Sequence, residues 1–165
     1  MLDYLKKNYF INLLIIITIF SLDRISKFYV IFESERNLSS SLFTSKFLNI
    51  NLIWNEGIAF GLFSFNKNYL YNLLTILIVI VIFIILIMII KSEGFKRYAL
   101  SMIFGGAVGN LYDRIFYSAV PDFIDFHIKD FHWFIFNVAD IFITIGVIIM
   151  ILSEFRGNEL KNEAL

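Results

Sequence analysis

The chain has 165 residues, of which 59% are hydrophobic, with a formal net charge of zero and no cysteine. The lack of cysteine excludes disulfides, thiolate catalysis and cysteine-based metal centres, and the balanced charge argues against electrostatic capture of nucleic acid. The apolar residues stand in blocks rather than at the period of amphipathic helices, which is typical of a membrane protein.

Four apolar blocks approach the length of about 20 residues that a helix needs to cross a bilayer. They predict membrane spans near residues 9–30, 70–90, 98–112 and 136–153. The second block carries no charge, whereas each helix of a soluble bundle would show a polar face. We therefore predict an all-α membrane protein, a bundle of four transmembrane helices, in a single domain over residues 1–165.

The first block begins like a signal peptide, because Lys6 and Lys7 precede it. No small-x-small cleavage site follows, and the block runs instead into Asp23-Arg24, which indicates an uncleaved first span. With the N-terminus inside, the lysines and arginines are denser in the short inner segments than in the longer outer ones. The positive-inside rule then places both termini in the cytoplasm.

The two outer segments, residues 31–69 and 113–135, contain stretches that resemble strands. Residues 47–54 alternate loosely between apolar and polar side chains, and residues 123–128 follow a similar pattern. If these stretches pair, they form a small extracytoplasmic β-sheet. We expect this sheet and its loops to rest on the outer ends of the four helices.

The unusual polar residues all fall at the outer face under this topology. Asp23 lies about 21 Å along the first helix from Tyr9, and a carboxylate within a span is costly and tends to mark a functional site. The others end the third span, begin the fourth or lie in the outer loops: Asn110, Asp113, Arg114, Asn137, Asp140, Asn55 and Asp122.

Helical spacing arranges several of these residues on shared faces. Asn137 and Asp140 are three residues apart on the fourth helix, and Asn110, Asp113 and Arg114 share a face of the third. The small residues 105–107 and Gly109 allow the third helix to approach a neighbour closely. We expect this approach to bring Asn110 and Arg114 near Asp140, with the loop that carries Asp122 folded over the site.

Five sequence blocks occur in order along most of the chain. They are Asp23-x-x-x-Lys27, Asn55-x-Gly57-x-Ala59-Phe60, Gly105-Gly106-Ala107-x-Gly109-Asn110-x-x-Asp113-Arg114, Val120-x-Asp122-Phe123 and Phe136-Asn137-x-Ala139-Asp140. As an ordered set they resemble the signature blocks of lipoprotein signal peptidase, or signal peptidase II, a bacterial aspartic peptidase. One departure is Pro121, which favours an extended conformation at Val120 and suits a strand that leads to Asp122.

The resemblance implies an enzyme that removes signal peptides from diacylglyceryl-modified prolipoproteins by cutting before the lipidated cysteine. It implies that Asp122 and Asp140 are the catalytic pair. The residues expected to support the site or bind substrate are Asp23, Lys27, Asn55, Gly57, Asn110, Asp113, Arg114 and Asn137. It further implies a multi-pass protein of the bacterial inner membrane, with its active site toward the outer leaflet. Its partners would be membrane lipid and lipidated prolipoproteins, and we expect a monomer without cofactor or metal.

The chemistry of two neighbouring carboxyl groups agrees with this function. They cannot both ionise cheaply and so share one proton. The ionised group takes a proton from the attacking water, and the protonated group donates to the scissile carbonyl.

Other interpretations compete with this one. A small transporter would carry its carboxylates near the middle of the membrane on facing helices, and a metal-dependent phosphotransferase would carry several aspartates on one helix. Asp23 with Lys27 and Asp113 with Arg114 also suit structural roles. We interpret Asp125 and Asp130 as solvated loop charges. A metal site at His127 and His132 is not favoured, because their spacing fits no strong motif.

Overall fold

A computed structural model describes residues 2–57 and 68–162 of the chain. Its helices are α1 (Leu2–Asn37), α2 (Asn68–Lys91), α3 (Gly94–Tyr117) and α4 (Val138–Asn162). Its strands are β1 (Ser41–Thr44), β2 (Leu48–Asn55), β3 (Val120–Ile128) and β4 (Phe131–Phe136). The protein is therefore mostly helical, with one small antiparallel sheet.

Within the described residues, three stretches of helix are long and apolar enough to cross a membrane. They are Tyr9–Asn37 in α1, Tyr71–Lys91 in α2 and Val138–Phe155 in α4. Each coincides with a span predicted from the sequence. Large apolar side chains such as Phe28, Phe83 and Leu152 project outward from these helices. An exposed apolar surface of this extent is unfavourable in water and marks a surface that meets lipid.

The third predicted span, residues 98–112, lies within α3, which extends several residues beyond it at both ends. Helix α3 packs against each of the other three helices. Its buried face includes Arg97, Ser101, Asp113 and Arg114. These polar residues lower the average hydropathy of α3 but point into the protein rather than outward.

Glycines bring α3 into close contact with its neighbours. A Cβ atom at Gly106 would lie 2.6 Å from the Ala139 carbonyl oxygen, and one at Gly146 would lie 2.8 Å from the Ala99 carbonyl oxygen. The backbones of α3 and α4 therefore approach each other at two levels, as small residues allow in membrane helices. This contact places the second half of α3 beside the first turn of α4.

The sheet has the strand order β1-β2-β3-β4, with every neighbouring pair antiparallel. The predicted pairing of residues 47–54 with 123–128 is confirmed as the β2–β3 ladder, in which Asn49 faces Asp125 and Ile53 faces Asp122. The ladder is irregular between Ile50 and Ile53, and such irregularities re-aim the side chains that follow them.

The sheet lies at one end of the helices. Three residues separate the end of α1 from β1, two separate α3 from β3, and one separates β4 from α4. The Tyr71 hydroxyl near the start of α2 donates to the Arg114 carbonyl oxygen near the end of α3, at 3.3 Å. At the other end, Lys96 of α3 pairs with Glu154 of α4 at 3.0 Å.

The predicted boundaries of the spans need two corrections. Helix α4 begins at Val138 rather than at Phe136, because Phe136 completes β4 and Asn137 caps the helix. Helices α1 and α3 continue to Asn37 and Tyr117, so the segments between the helices are shorter than predicted.

Candidate active site

Asp122 lies on β3 and is held by two asparagines. Asn55, at the end of β2, donates from Nδ2 to Asp122 Oδ2 at 2.8 Å. Asn137 donates from Nδ2 to Asp122 Oδ1 at 2.6 Å. The Asp122 residue is only 4% exposed, so both carboxylate oxygens are fixed in a buried position.

Asp140 is held by the start of α4. The Asn137 side-chain oxygen accepts from the Asp140 backbone N–H at 3.1 Å, and the Asp140 carboxylate accepts from the Asn137 backbone N–H at 3.1 Å. This reciprocal pair is a capping box built from asparagine and aspartate. Asn110 of α3 donates to the other Asp140 oxygen at 2.9 Å. The geometry of the helix start therefore sets the position of this carboxylate.

Asn137 connects the two carboxyl groups. Its side-chain nitrogen binds Asp122, while its side-chain oxygen and backbone nitrogen bind Asp140. The sequence predicts that Asn137 shares a helix face with Asp140, and the family resemblance implies that it supports the site. The structure places it one residue before the helix, where a single side chain reaches both aspartates.

The pKa of Asp122 is raised to about 6. Burial is the main cause, because it disfavours the charged carboxylate, and the nearby negative charge of Asp140 adds to it. The amides of Asn55 and Asn137 act in the opposite direction by donating to the ionised form. A carboxyl group of this kind holds a proton well above the pH at which an exposed aspartate loses it.

A buried ionic cluster lies behind the two carboxyl groups. It contains two anions, Asp23 of α1 and Asp113 of α3, and two cations, Arg24 and Lys27 of α1. Lys27 Nζ lies 2.6 Å from Asp113 and 3.0 Å from Asp23, and both Arg24 amino groups bind Asp113 at 2.6 and 2.8 Å. The four charges cancel inside the protein.

The ionic cluster reaches Asp140 by two routes. Lys27 donates to the Asn110 side-chain oxygen at 2.8 Å, which orients the Asn110 amide nitrogen toward Asp140. Asp23 accepts from the Ala139 backbone N–H at 3.1 Å and so caps the first turn of α4. A Cβ atom at Gly109 would lie 2.7 Å from the Asp23 carboxylate, so a glycine is needed there for this contact.

Arg24 belongs to this cluster but is absent from the site residues predicted from the sequence. Its guanidinium also lies 4.7 Å from the centre of the Tyr112 ring, over the face of α3. Its position in the sequence could have indicated this role, because an arginine inside an apolar block needs a buried anionic partner. The predicted pairing of Asp23 with Lys27 is present, and Asp113 pairs with Lys27 and Arg24.

Arg114 occupies a different place from the one predicted. It was expected near Asp140, but its Nη2 donates to the Gly57 carbonyl oxygen at 2.6 Å. The Gly57 backbone N–H in turn donates to the Asn55 side-chain oxygen at 2.9 Å. Arg114 therefore fixes the segment that carries Asn55. Ala59 and Phe60, from the same sequence block, lie outside the described residues.

An apolar groove opens beside Asp140. It has a volume of about 700 Å³ and lies between strands β3 and β4 and the first turns of α4. Its walls include Phe126, Phe136, Ile141 and Thr144. One carboxylate thus faces a space suited to hydrocarbon.

Lys27→Met should destabilise the protein strongly, because it leaves two buried carboxylates with too little positive charge. Loss of one partner from a buried pair costs about 3–5 kcal/mol. The free energy of unfolding, measured by denaturant titration in detergent micelles, would show this. Lys96→Met is the matched control, since its pair with Glu154 is exposed and worth at most about 1 kcal/mol. Equal effects of the two substitutions would contradict a structural role for the ionic cluster.

Asp122→Asn should make the stability of the protein less dependent on pH, because it removes the ionisable group. The pKa of Asp122 is higher in the folded protein than the ordinary value of 3.8, so its contribution to stability is complete below about pH 4. That contribution is lost as the pH rises through 6. A shift of about two pKa units corresponds to about 3 kcal/mol. Unfolding free energies measured from pH 4 to 7 should fall more steeply for the wild type than for the variant, and parallel profiles would contradict this prediction.

The chain is similar to known proteins over most of its length. A family model described as signal peptidase (SPase) II matches residues 15–156. A lipoprotein signal peptidase of Pelagibacter ubique is 52% identical over 158 residues, which cover 95% of each chain. That of Aquifex aeolicus is 38% identical over 93% of this chain and 90% of its own.

A solved structure of a bacterial membrane enzyme shares the fold with a TM-score of 0.71 and 29% identity, over 91% of this chain and 90% of that one. A second bacterial membrane enzyme gives a TM-score of 0.69 and 32% identity, over 86% of this chain and 90% of that one. The chain belongs to the signal peptidase II family.

Proposed function

We propose that this protein removes signal peptides from prolipoproteins by aspartic catalysis, with Asp122 and Asp140 as the two catalytic carboxyl groups. The family supports the peptidase activity. The observation that carries the catalytic assignment is the hydrogen bonding of both carboxyl groups to the same residue, Asn137. The raised pKa of Asp122 supports it, because an aspartic pair needs one group that keeps its proton.

In the proposed reaction the pair begins with one shared proton. The ionised carboxylate takes a proton from water as the water oxygen attacks the scissile carbonyl carbon, and the protonated group donates to the carbonyl oxygen. When the carbon–nitrogen bond breaks, a proton passes to the leaving nitrogen and the pair returns to its starting state. The titration belongs to the pair as a whole. These steps use the two carboxyl groups and one water molecule.

The remaining site residues act as positioning residues in this scheme. Asn55 and Asn137 hold Asp122, and Asn110 holds Asp140. The ionic cluster fixes Asn110 and the start of α4, while Arg114 and Gly57 fix Asn55. All of these groups come from one chain, which is sufficient for a monomeric enzyme.

The apolar groove provides a place for the lipid of the substrate. The family resemblance implies cleavage before a cysteine that carries a diacylglyceryl group, so the acyl chains lie close to the scissile bond. The groove includes Asp140 in its wall and is otherwise lined mainly by aromatic and aliphatic side chains. We assign the acyl chains to this groove, because its aromatic and aliphatic walls are as apolar as the lipid that the chains leave.

Asp122→Asn and Asp140→Asn should each reduce cleavage of a lipidated prolipoprotein in detergent on the order of 10²-fold to 10⁴-fold. Each variant keeps the size of the side chain but removes the ionisable group. The control is Asp130→Asn, an exposed aspartate of the β3–β4 turn, which should cleave at the wild-type rate. Substantial activity in either site variant, with folding confirmed by thermal unfolding, would rule out the aspartic pair.

We also propose that α3 is a fourth membrane span and that the sheet is extracytoplasmic. With about 1.5 Å per residue, the 24 residues of α3 are long enough to cross a bilayer. The sheet lies at one end of the bundle, and the basic residues Lys91, Lys96 and Arg97 lie near the other. The positive-inside rule places that basic end in the cytoplasm. The termini of the single membrane domain then face the cytoplasm, and the active site lies toward the outer leaflet.

Single cysteines test this topology, because the chain has none of its own. Asp130→Cys, in the β3–β4 turn, should react with a membrane-impermeant maleimide added to intact cells whose outer membrane has been opened. Glu93→Cys, between α2 and α3, should react only after the inner membrane is permeabilised. The wild-type chain serves as the unlabelled control, and the reverse labelling pattern would overturn the orientation.

A further inference from the structure

A second cluster of chemically active side chains lies on the β3–β4 hairpin. Asp125 and His127 are two residues apart on β3, so their side chains project to the same face of the strand. The β3–β4 register pairs His127 with His132. The hairpin thereby brings together three residues that sequence spacing alone does not group, and their potential ligand atoms all lie within 4.8 Å of one another.

The hydrogen bonding of this cluster is incomplete. His132 Nδ1 lies 2.9 Å from both oxygens of the Asp125 carboxylate, which is buried and also accepts from Asn49 Nδ2 at 3.2 Å. His127 Nδ1 is buried and has no hydrogen-bond partner among the residues that the structure describes. A buried imidazole nitrogen without a partner is costly, and a ligand at this position would satisfy it.

We propose that Asp125, His127 and His132 form a binding site for a divalent transition-metal ion, of which Zn²⁺ is the best match. Two imidazoles and one carboxylate are a common zinc ligand set, and three protein ligands leave a fourth position for water. Asn49 supports the site from behind, because its hydrogen bond orients the ligating carboxylate.

The present distances are close to those that a zinc ion requires. With bonds of about 2.0–2.1 Å, the ligand atoms of a tetrahedral site lie roughly 3.3 Å apart. The Asp125–His132 pair lies at 2.9 Å, closer than this value, and must open slightly to admit the ion. The widest separation of 4.8 Å must shorten, and the stacked rings of His127 and His132, with centroids 5.0 Å apart, must turn so that both face the ion. The His132 side chain is 52% exposed and can make this rotation without unpacking the core.

The site is separate from the catalytic pair but connected to the substrate groove. Side-chain alternation along β3 directs Asp125 to the face opposite Asp122. His127 contributes to the wall of the apolar groove, as do Phe131 and Trp133 of β4. An ion held by both strands would cross-link the hairpin that forms this wall, whereas no step of the proposed hydrolysis uses it.

Isothermal titration with ZnCl₂ tests the proposal on the full-length protein in detergent, after EDTA treatment, desalting and removal of any histidine tag. The wild type should bind one Zn²⁺ per chain. Asn49→Ala should weaken binding on the order of tenfold, and His127→Ala and His132→Ala should weaken it further. Asp130→Asn, which changes an exposed carboxylate in the same turn, should bind as the wild type does.

Two results would overturn the site: no saturable Zn²⁺ binding by the wild type, or unchanged binding in a His127→Ala/His132→Ala double variant. Thermal unfolding of each variant establishes that it is folded, and an unfolded variant is replaced by His127→Gln or His132→Gln, for which weakened binding is also expected. Prolipoprotein cleavage in EDTA is measured in parallel. If the metal-free wild type still cleaves the substrate, the aspartic mechanism stands whether or not Zn²⁺ binds at this site.

Discussion

The buried cluster of Asp23, Arg24, Lys27 and Asp113 is the constraint on which the site depends. A single charge inside a membrane protein is costly, and a set of charges is tolerated only when their signs cancel and their hydrogen-bonding capacity is used. Here the four charges cancel, and the capacity left over is directed to Asn110 and to the first turn of α4. The contacts that make the cluster neutral therefore also set the place of Asp140, the proposed catalytic carboxylate. Stability and the geometry of the candidate site depend on the same contacts.

The sequence contains enough information to propose which residues form the candidate site, but less about what each one contacts. Blocks of hydropathy predict three helices well, and the polarity of Asp122 and Asp140 marks them as unusual. The partner of a long side chain depends on tertiary distances that spacing does not encode. Arg114 therefore contacts Gly57 instead of Asp140, and Arg24 was not assigned to the site. Asn137 acts as a helix cap because β4 ends immediately before it, a boundary that the continuous apolar run conceals.

Helix α3 shows why average hydropathy underestimates a central helix. Hydropathy scales measure the cost of exposing a side chain to lipid, yet the polar side chains that α3 turns inward contact α1, the start of α4 and the Gly57 backbone instead. The sheet shows the complementary effect. Alternation predicts the β2–β3 pairing, whereas the irregularities of the ladder and the meeting of Asp125 with two histidines follow from the three-dimensional register.

The junction between β4 and α4 has a mechanical consequence. Only Asn137 separates the last residue of the strand from the first residue of the helix, and this same residue binds both carboxyl groups. The β3–β4 hairpin and the helix bundle are thus joined by a connection of a single residue. One extra residue at this joint would turn α4 by about 100° and shift it by about 1.5 Å relative to the sheet, which would move Asp140 out of reach of its partner. The length of the chain at this point, as much as the chemistry of its side chains, keeps the two aspartates together.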